Sequence, residues 1–159
     1  LNTLFNLQLS TSQLQNYASE LGSDCAFFIN NKPALATGRG EVLTPYSLDL
    51  SMYKIALIKP SVSINTALAY SYCKPAKPAV SIVDILHEPI DTWRNKLSND
   101  FETLSGEHMP LIMQLKDSLY QAGALYAAMS GSGSTVFGVF EKQVTINVGT
   151  DATLYWSRL

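Results

Sequence analysis

Three stretches of this chain carry residue types at spacings that can do chemistry. The sharpest is Met129-Ser130-Gly131-Ser132-Gly133-Ser134-Thr135, set between two apolar runs. Two glycines and three serines in so short a turn let backbone N–H groups converge into an anion nest, the physical need of a phosphate cradle. The stretch is not a Walker A loop, because it has no Gly-Lys-Ser/Thr. Nor is it a full dinucleotide fingerprint, because Val136 stands where a third glycine would be. A plain glycine-rich hairpin connection accounts for the same residues. The second stretch is Leu21-Gly22-Ser23-Asp24-Cys25-Ala26-Phe27-Phe28, an acidic residue after a helix stop and just before an apolar run. A carboxylate at the edge of a low-dielectric wall can orient or accept a hydroxyl proton. An aspartate after glycine serves equally as a cap for the next backbone segment. The third runs from Lys59 to Tyr70, with Thr66 and Tyr70 four apart. On a helix these two share a face and offer a hydroxyl and an aromatic platform to one ligand; the alternative is a capped surface helix with Tyr70 half buried. His87 and His108 lack metal-ligand spacing with Cys or Asp, so no metal site is expected among these residues.

The elements that must position these groups follow from periodicity. Ser10 and Gln13 form a capping pattern ahead of Leu14, Tyr17, Ala18 and Leu21, which predicts a helix over 10–22. Ala26 to Ile29 and Ala34 to Thr37 read as two short extended pieces around the turn-forming Asn30-Asn31-Lys32-Pro33, followed by Gly38-Arg39-Gly40. Polar residues from Tyr46 to Ser51 place a domain boundary near residue 45. Tyr53 to Ile58 is a covered strand, Asn65 to Tyr70 a short helix, and Lys74 to Pro78 a Lys/Pro linker. A helical period from Ile82 to Leu97 is interrupted by Pro89, which predicts two helices. Pro110 opens another helix that closes near Gly123, two strands flank Ser130 to Ser134, and Thr153 to Trp156 is a last strand. Strands and helices in this order make an α+β sandwich.

Composition bounds the function. The 159 residues are 47% hydrophobic and 15% charged, enough for one sizeable core. A net charge of -2 lacks the basic footprint of a nucleic-acid binder. No apolar run approaches the roughly 20 residues that span a bilayer, so no membrane segment is expected. Cys25 and Cys73 stand far apart without C-x-x-C spacing, which fits a reducing compartment, with cytoplasm the expectation. The chain opens Leu1-Asn2-Thr3-Leu4 without Met or a basic n-region, and a fragment is expected.

Taken in order, Leu-Gly-Ser-Asp-Cys-Ala-Phe-Phe-Ile, Gly-Arg-Gly-Glu-Val-Leu, Lys-Pro-Ser-Val-Ser-Ile-Asn-Thr and Met-Ser-Gly-Ser-Gly-Ser-Thr-Val-Phe-Gly resemble one family throughout. They look like the 4-diphosphocytidyl-2-C-methyl-D-erythritol kinases of the GHMP kinase superfamily, and correspond to the later part of such an enzyme. The resemblance implies that Asp24 activates a substrate hydroxyl for attack on the γ-phosphate of ATP. It implies that Thr66 and Tyr70 line the substrate pocket, with an aromatic ring on cytosine, for which Tyr72 competes. Gly131, Ser132 and Gly133 match the superfamily's glycine-rich loop beside the bound ligands. The implied reaction is ATP plus CDP-methylerythritol giving the 2-phosphate and ADP, with Mg²⁺, in the non-mevalonate isoprenoid route.

The departures from that family matter too. Its catalytic lysine and glycine-rich phosphate loop, which lie ahead of the stretch matched here, do not occur in this sequence, so the ATP and Mg²⁺ sites are expected to lie largely elsewhere and the chain to be inactive alone. Cys25 and Ala26 replace the usual Val-Pro after the aspartate, and the 142–153 connection is too short and Gly/Thr-rich for the helix that usually precedes the last strand. The resemblance implies that residues 1–45 finish an ATP-binding domain and 46–159 form a substrate-binding domain with a ferredoxin-like sandwich. Two rivals remain: another GHMP small-molecule kinase, acting on mevalonate derivatives or homoserine, and a non-catalytic ligand-sensing α+β module. The oligomeric state is not legible.

Overall fold

The computed structural model describes residues 1–74, 76–103 and 109–158. The chain divides into two compact units, Leu1–Asp49 and Leu50–Leu159.

In the first unit, α1 (Thr11–Leu21) starts on a complete capping box. The Ser10 hydroxyl accepts the Gln13 N–H, and the Gln13 side chain accepts the Ser10 N–H at 2.9 Å. The run after Gly22 departs from expectation. Instead of a strand over Ala26 to Ile29, the chain coils through successive turns, with the N–H groups of Cys25, Phe27 and Phe28 bonded to the carbonyls of Gly22, Asp24 and Cys25. It becomes α2 (Phe27–Asn30), closed by Asn31 in the left-handed region at φ 49°. Local turn bonds and an asparagine able to take that conformation override the extended preference of Phe-Phe-Ile. The hairpin lies one step later: β1 (Ala34–Thr37) pairs antiparallel with β2 (Val42–Pro45) across Gly38-Arg39-Gly40. Ala18 and Ala26 are the buried apolar residues of this unit, while Leu1, Leu4, Phe5, Leu21 and Phe28 are exposed.

The second unit is built on β3 (Lys54–Pro60), whose apolar run lies at the centre of the sheet. α3 (Thr66–Tyr72) is capped by the Asn65 side chain, which accepts the Leu68 N–H at 2.9 Å. Pro89 divides the next helical stretch into α4 (Ile82–Leu86) and a 3₁₀ turn over Ile90–Asn95; His87 caps the end of α4, and His108 lies outside the described residues. α5 (Met109–Gln121) presents Ile112, Leu115 and Leu119 on one face. It closes with the N–H groups of Gly123 and Ala124 on the carbonyls of Tyr120 and Leu119, a Schellman pattern. β4 (Tyr126–Met129), β5 (Val136–Phe140) and β6 (Ala152–Arg158) complete an antiparallel sheet of order β4-β5-β3-β6. Numbered within this unit the order is 2-3-1-4, that of a ferredoxin-like sheet.

α5 covers one face of this sheet, and its three core residues meet Ala56 and Ile58 of β3, Met129 of β4 and Val136 and Phe140 of β5. Alternate residues of each strand face that helix, as the two-residue strand period requires. No helix is described between β5 and β6. There Val144, Ile146 and Val148 instead lay alternate side chains against the core, which supplies the apolar cover a helix would give. No described helix is long and apolar enough to cross a membrane.

Candidate functional site

Asp24 belongs to the first unit. Its side chain is exposed, and among the described residues no backbone N–H donates to its carboxylate; the residue before α2, Ala26, gives no side-chain cap either. The capping account of Asp24 therefore fails. A Cβ built on Gly40, at φ +109°, would come within 2.9 Å of Asp24 Oδ1. Glycine at 40 thus leaves room for the carboxylate, and two of the four motif segments, Leu21 to Phe28 and Gly38 to Glu41, meet at this point.

The second unit gathers the other sequence-identified residues. The loop between β4 and β5 is closed by the Ser130 N–H on the Thr135 carbonyl at 2.8 Å and the Gly133 N–H on the Ser130 carbonyl at 3.0 Å. Gly133 sits at φ +94°, and a Cβ there would lie 2.6 Å from Met129 Sδ and 2.7 Å from Ile64 Cδ1, so glycine is required for both reasons. The amides of Gly131 and Ser132, neither of them buried, have no acceptor among the described residues, which leaves them free for an anion. Ser132 and Thr66 meet, with their hydroxyl oxygens 3.0 Å apart. Tyr70, 63% exposed rather than half buried, presents its ring edge-on to Phe101 with centroids 4.9 Å apart. The neighbouring Tyr72 is also exposed.

Asn99 and Glu102 escaped the sequence reading, whereas Ser134 and Lys59 lie within its motif stretches without a role of their own. Ser134 is buried and donates to the Val62 carbonyl at 2.6 Å, while Lys59 Nζ reaches the same hydroxyl at 3.3 Å, which puts a positive charge beside the loop. Asn99 and Glu102 grip the backbone of the loop from the 3₁₀ turn Asp100–Thr103 and the residue ahead of it. The signal for them was present, since asparagine three residues before glutamate is a helix-start pattern, and it reads as capping. The Glu102 side chain is 8% exposed and pairs with Lys116. Burial first, then the negative Glu102, push the Tyr126 hydroxyl well above its ordinary range, so it stays a neutral donor to the Leu97 carbonyl at 3.2 Å. A cavity of about 560 Å³ opens beside the same turn, with Lys77, Ile85, Leu97, Asn99 and Phe101 among its lining residues.

No group of three or more His, Cys, Asp or Glu side chains suited to a metal ion occurs among the described residues. Cys25 and Cys73 are free thiols.

An antiparallel ferredoxin-like sheet with a glycine-rich loop at one end defines a class. Residues 81–148 match the family model of the C-terminal region of GHMP kinases, and the second unit is a GHMP kinase C-terminal domain. The relatives are more particular. Over 146 residues the chain is 46% identical to the 4-diphosphocytidyl-2-C-methyl-D-erythritol kinase of Bacteroides fragilis, covering 92% of this chain and 53% of that protein. The kinase of the same name from Bacteroides thetaiotaomicron is 43% identical over 162 residues, covering 100% of this chain and 59% of the relative. A crystal structure of a 4-(cytidine 5'-diphospho)-2C-methyl-D-erythritol kinase superimposes with a TM-score of 0.72 at 26% identity, over 87% of this chain and 51% of that one. The chain spans about half the length of the curated relatives it matches. The resemblance carried by the four motifs is thus borne out along the chain.

Proposed function

We propose that this chain is the later part of a kinase that transfers the γ-phosphoryl group of ATP to the 2-hydroxyl of 4-CDP-2-C-methyl-D-erythritol. The observation that carries the reading is the 46% identity to a kinase of that name over 92% of the chain. The Thr66–Ser132 contact and the unspent amides of the loop are consistent with it, because a substrate diphosphate needs donors and a nearby positive charge such as Lys59. Tyr70, exposed and braced from one side by Phe101, offers a ring face to cytosine. Asp24, uncapped and uncommitted, accepts the proton of the attacking hydroxyl and holds it in line; phosphoryl transfer asks for positioning and charge more than covalent chemistry.

In this reading residues 1–45 finish an ATP-binding domain and 46–159 bind substrate. The thin buried core of the first unit supports that view over a closed sensor module. ATP and Mg²⁺ are held mainly by residues outside this chain, which alone turns over nothing, and the enzyme works in the cytoplasm. ADP release by the complete gene product over a panel of acceptors tests the reading. CDP-methylerythritol should be the preferred acceptor; preference for a mevalonate derivative or homoserine would replace it with another GHMP kinase, and no turnover with any acceptor would favour a sensor.

A further inference from the structure

We propose that Asn99 and Glu102 are positioning residues that fix the peptide planes of the glycine-rich loop and aim the Ser132 N–H toward the ligand. The proposal rests on the reading above only in taking the loop as ligand-facing.

The geometry comes from four hydrogen bonds, three made by Asn99 and one by Glu102. Asn99 Nδ2 donates to the Met129 carbonyl at 2.8 Å and to the Gly131 carbonyl at 2.7 Å, and Asn99 Oδ1 accepts the Phe101 N–H at 2.9 Å. Both amide hydrogens and the carbonyl of the side chain are therefore committed, and its orientation is set. Glu102 Oε1 accepts the Met129 N–H at 2.6 Å. Met129 is thus held by its N–H and its C=O at once.

The carbonyl and N–H of a trans peptide point in opposite directions. When Gly131 turns its carbonyl toward Asn99, the Ser132 N–H of the same plane must point away from Asn99. That N–H is one of those with no acceptor among the described residues. Gly131 has open space around its Cβ position and no other described bond on its carbonyl, so Asn99 is what restrains a residue otherwise free to rotate. Lys116 supplies the counter-charge a carboxylate as enclosed as Glu102 requires. The same turn carries Phe101 against Tyr70, so one short segment supports both ligand-facing parts of this unit.

The test uses the 159-residue chain, its ¹⁵N–¹H resonances, amide hydrogen exchange, thermal melting and titration with CDP-methylerythritol. Asn99→Asp keeps the shape of the side chain but sets an acceptor oxygen against two carbonyl oxygens. It should move the Ser132 amide resonance in the free chain, speed exchange at Ser130 and Gly133, and weaken binding about tenfold or more. Glu102→Gln/Lys116→Met keeps the acceptor for Met129 while removing both charges. It should recover most of the affinity lost in Glu102→Ala/Lys116→Met, a rescue that a purely electrostatic or bulk-stability role would not produce. A Ser132 resonance and affinity unchanged in Asn99→Asp, or no rescue by the glutamine variant, would overturn the proposal. Should the wild-type chain bind no CDP-methylerythritol, the functional reading fails by itself, and the free-chain Ser132 resonance in Asn99→Asp still decides the positioning claim.

Discussion

Thr66 Oγ1 and Ser132 Oγ lie 3.0 Å apart although 66 residues separate them in the chain. The bond ties the first turn of α3 to the glycine-rich loop, which places the two binding motifs of the second unit side by side. Because it is exposed, its free energy is modest. A double-mutant cycle with Thr66→Ala and Ser132→Ala, read by urea unfolding, should give a coupling of about 0.5–1 kcal/mol. Strict additivity would contradict the contact.

The two loop glycines should respond differently to a methyl group. Gly133→Ala meets a positive φ and two close atoms, Met129 Sδ and Ile64 Cδ1, and should cost at least about 2 kcal/mol. Gly131 has φ +55° and nothing near its Cβ position, so Gly131→Ala should cost about 1 kcal/mol. Equal losses in urea titrations would refute this account of the loop.

Asp24→Asn removes a charge from an exposed side chain that makes no backbone cap, so stability should change by less than about 0.5 kcal/mol. In the complete gene product kcat should fall about 10²- to 10⁴-fold with little change in substrate affinity. Full activity in the asparagine variant would remove Asp24 from the chemistry.

Acid should act partly through Glu88 and Glu41. The Lys96 side chain, then Thr92, hold the Glu88 carboxyl below its ordinary 4.5, and the backbone N–H groups of Glu41 and Arg39 do the same for Glu41. A carboxylate depressed in the folded state stabilises the fold above its unfolded value, and that contribution disappears as pH falls through the folded value. Both groups are exposed, so the effect is small and salt-sensitive. Lys96→Met should flatten the fall of melting temperature below about pH 5, most visibly at low ionic strength. An acid limb identical to wild type would mean the pair does not form in solution.

Most of the second unit was legible because its signals are strictly local. Asn65 caps α3, Pro89 splits a helical period, and Ile112, Leu115 and Leu119 keep one face. The Ala26 to Ile29 run was misread because Phe and Ile favour strands, while the bonds that coil it belong to Gly22, Asp24 and Asn31 around it. At the site, motif wording singled out Asp24, Thr66, Tyr70 and the glycine loop. It was silent on Asn99 and Glu102, whose partners Met129 and Gly131 lie about thirty residues along the chain and are engaged through backbone atoms that carry no sequence signal. The 142–153 connection was rightly expected to lack its helix, but its alternating Val144, Ile146 and Val148 cover became visible only against the core.

Parallel incubations of the 159-residue chain and of the complete gene product with ATP, Mg²⁺ and CDP-methylerythritol, followed by ³¹P NMR, test the central claim most directly. The account predicts that the complete protein forms a new phosphomonoester at the 2-hydroxyl and ADP in equal amounts, and that the chain alone forms neither. Turnover by the chain alone, or no phosphomonoester from the complete protein, would contradict it.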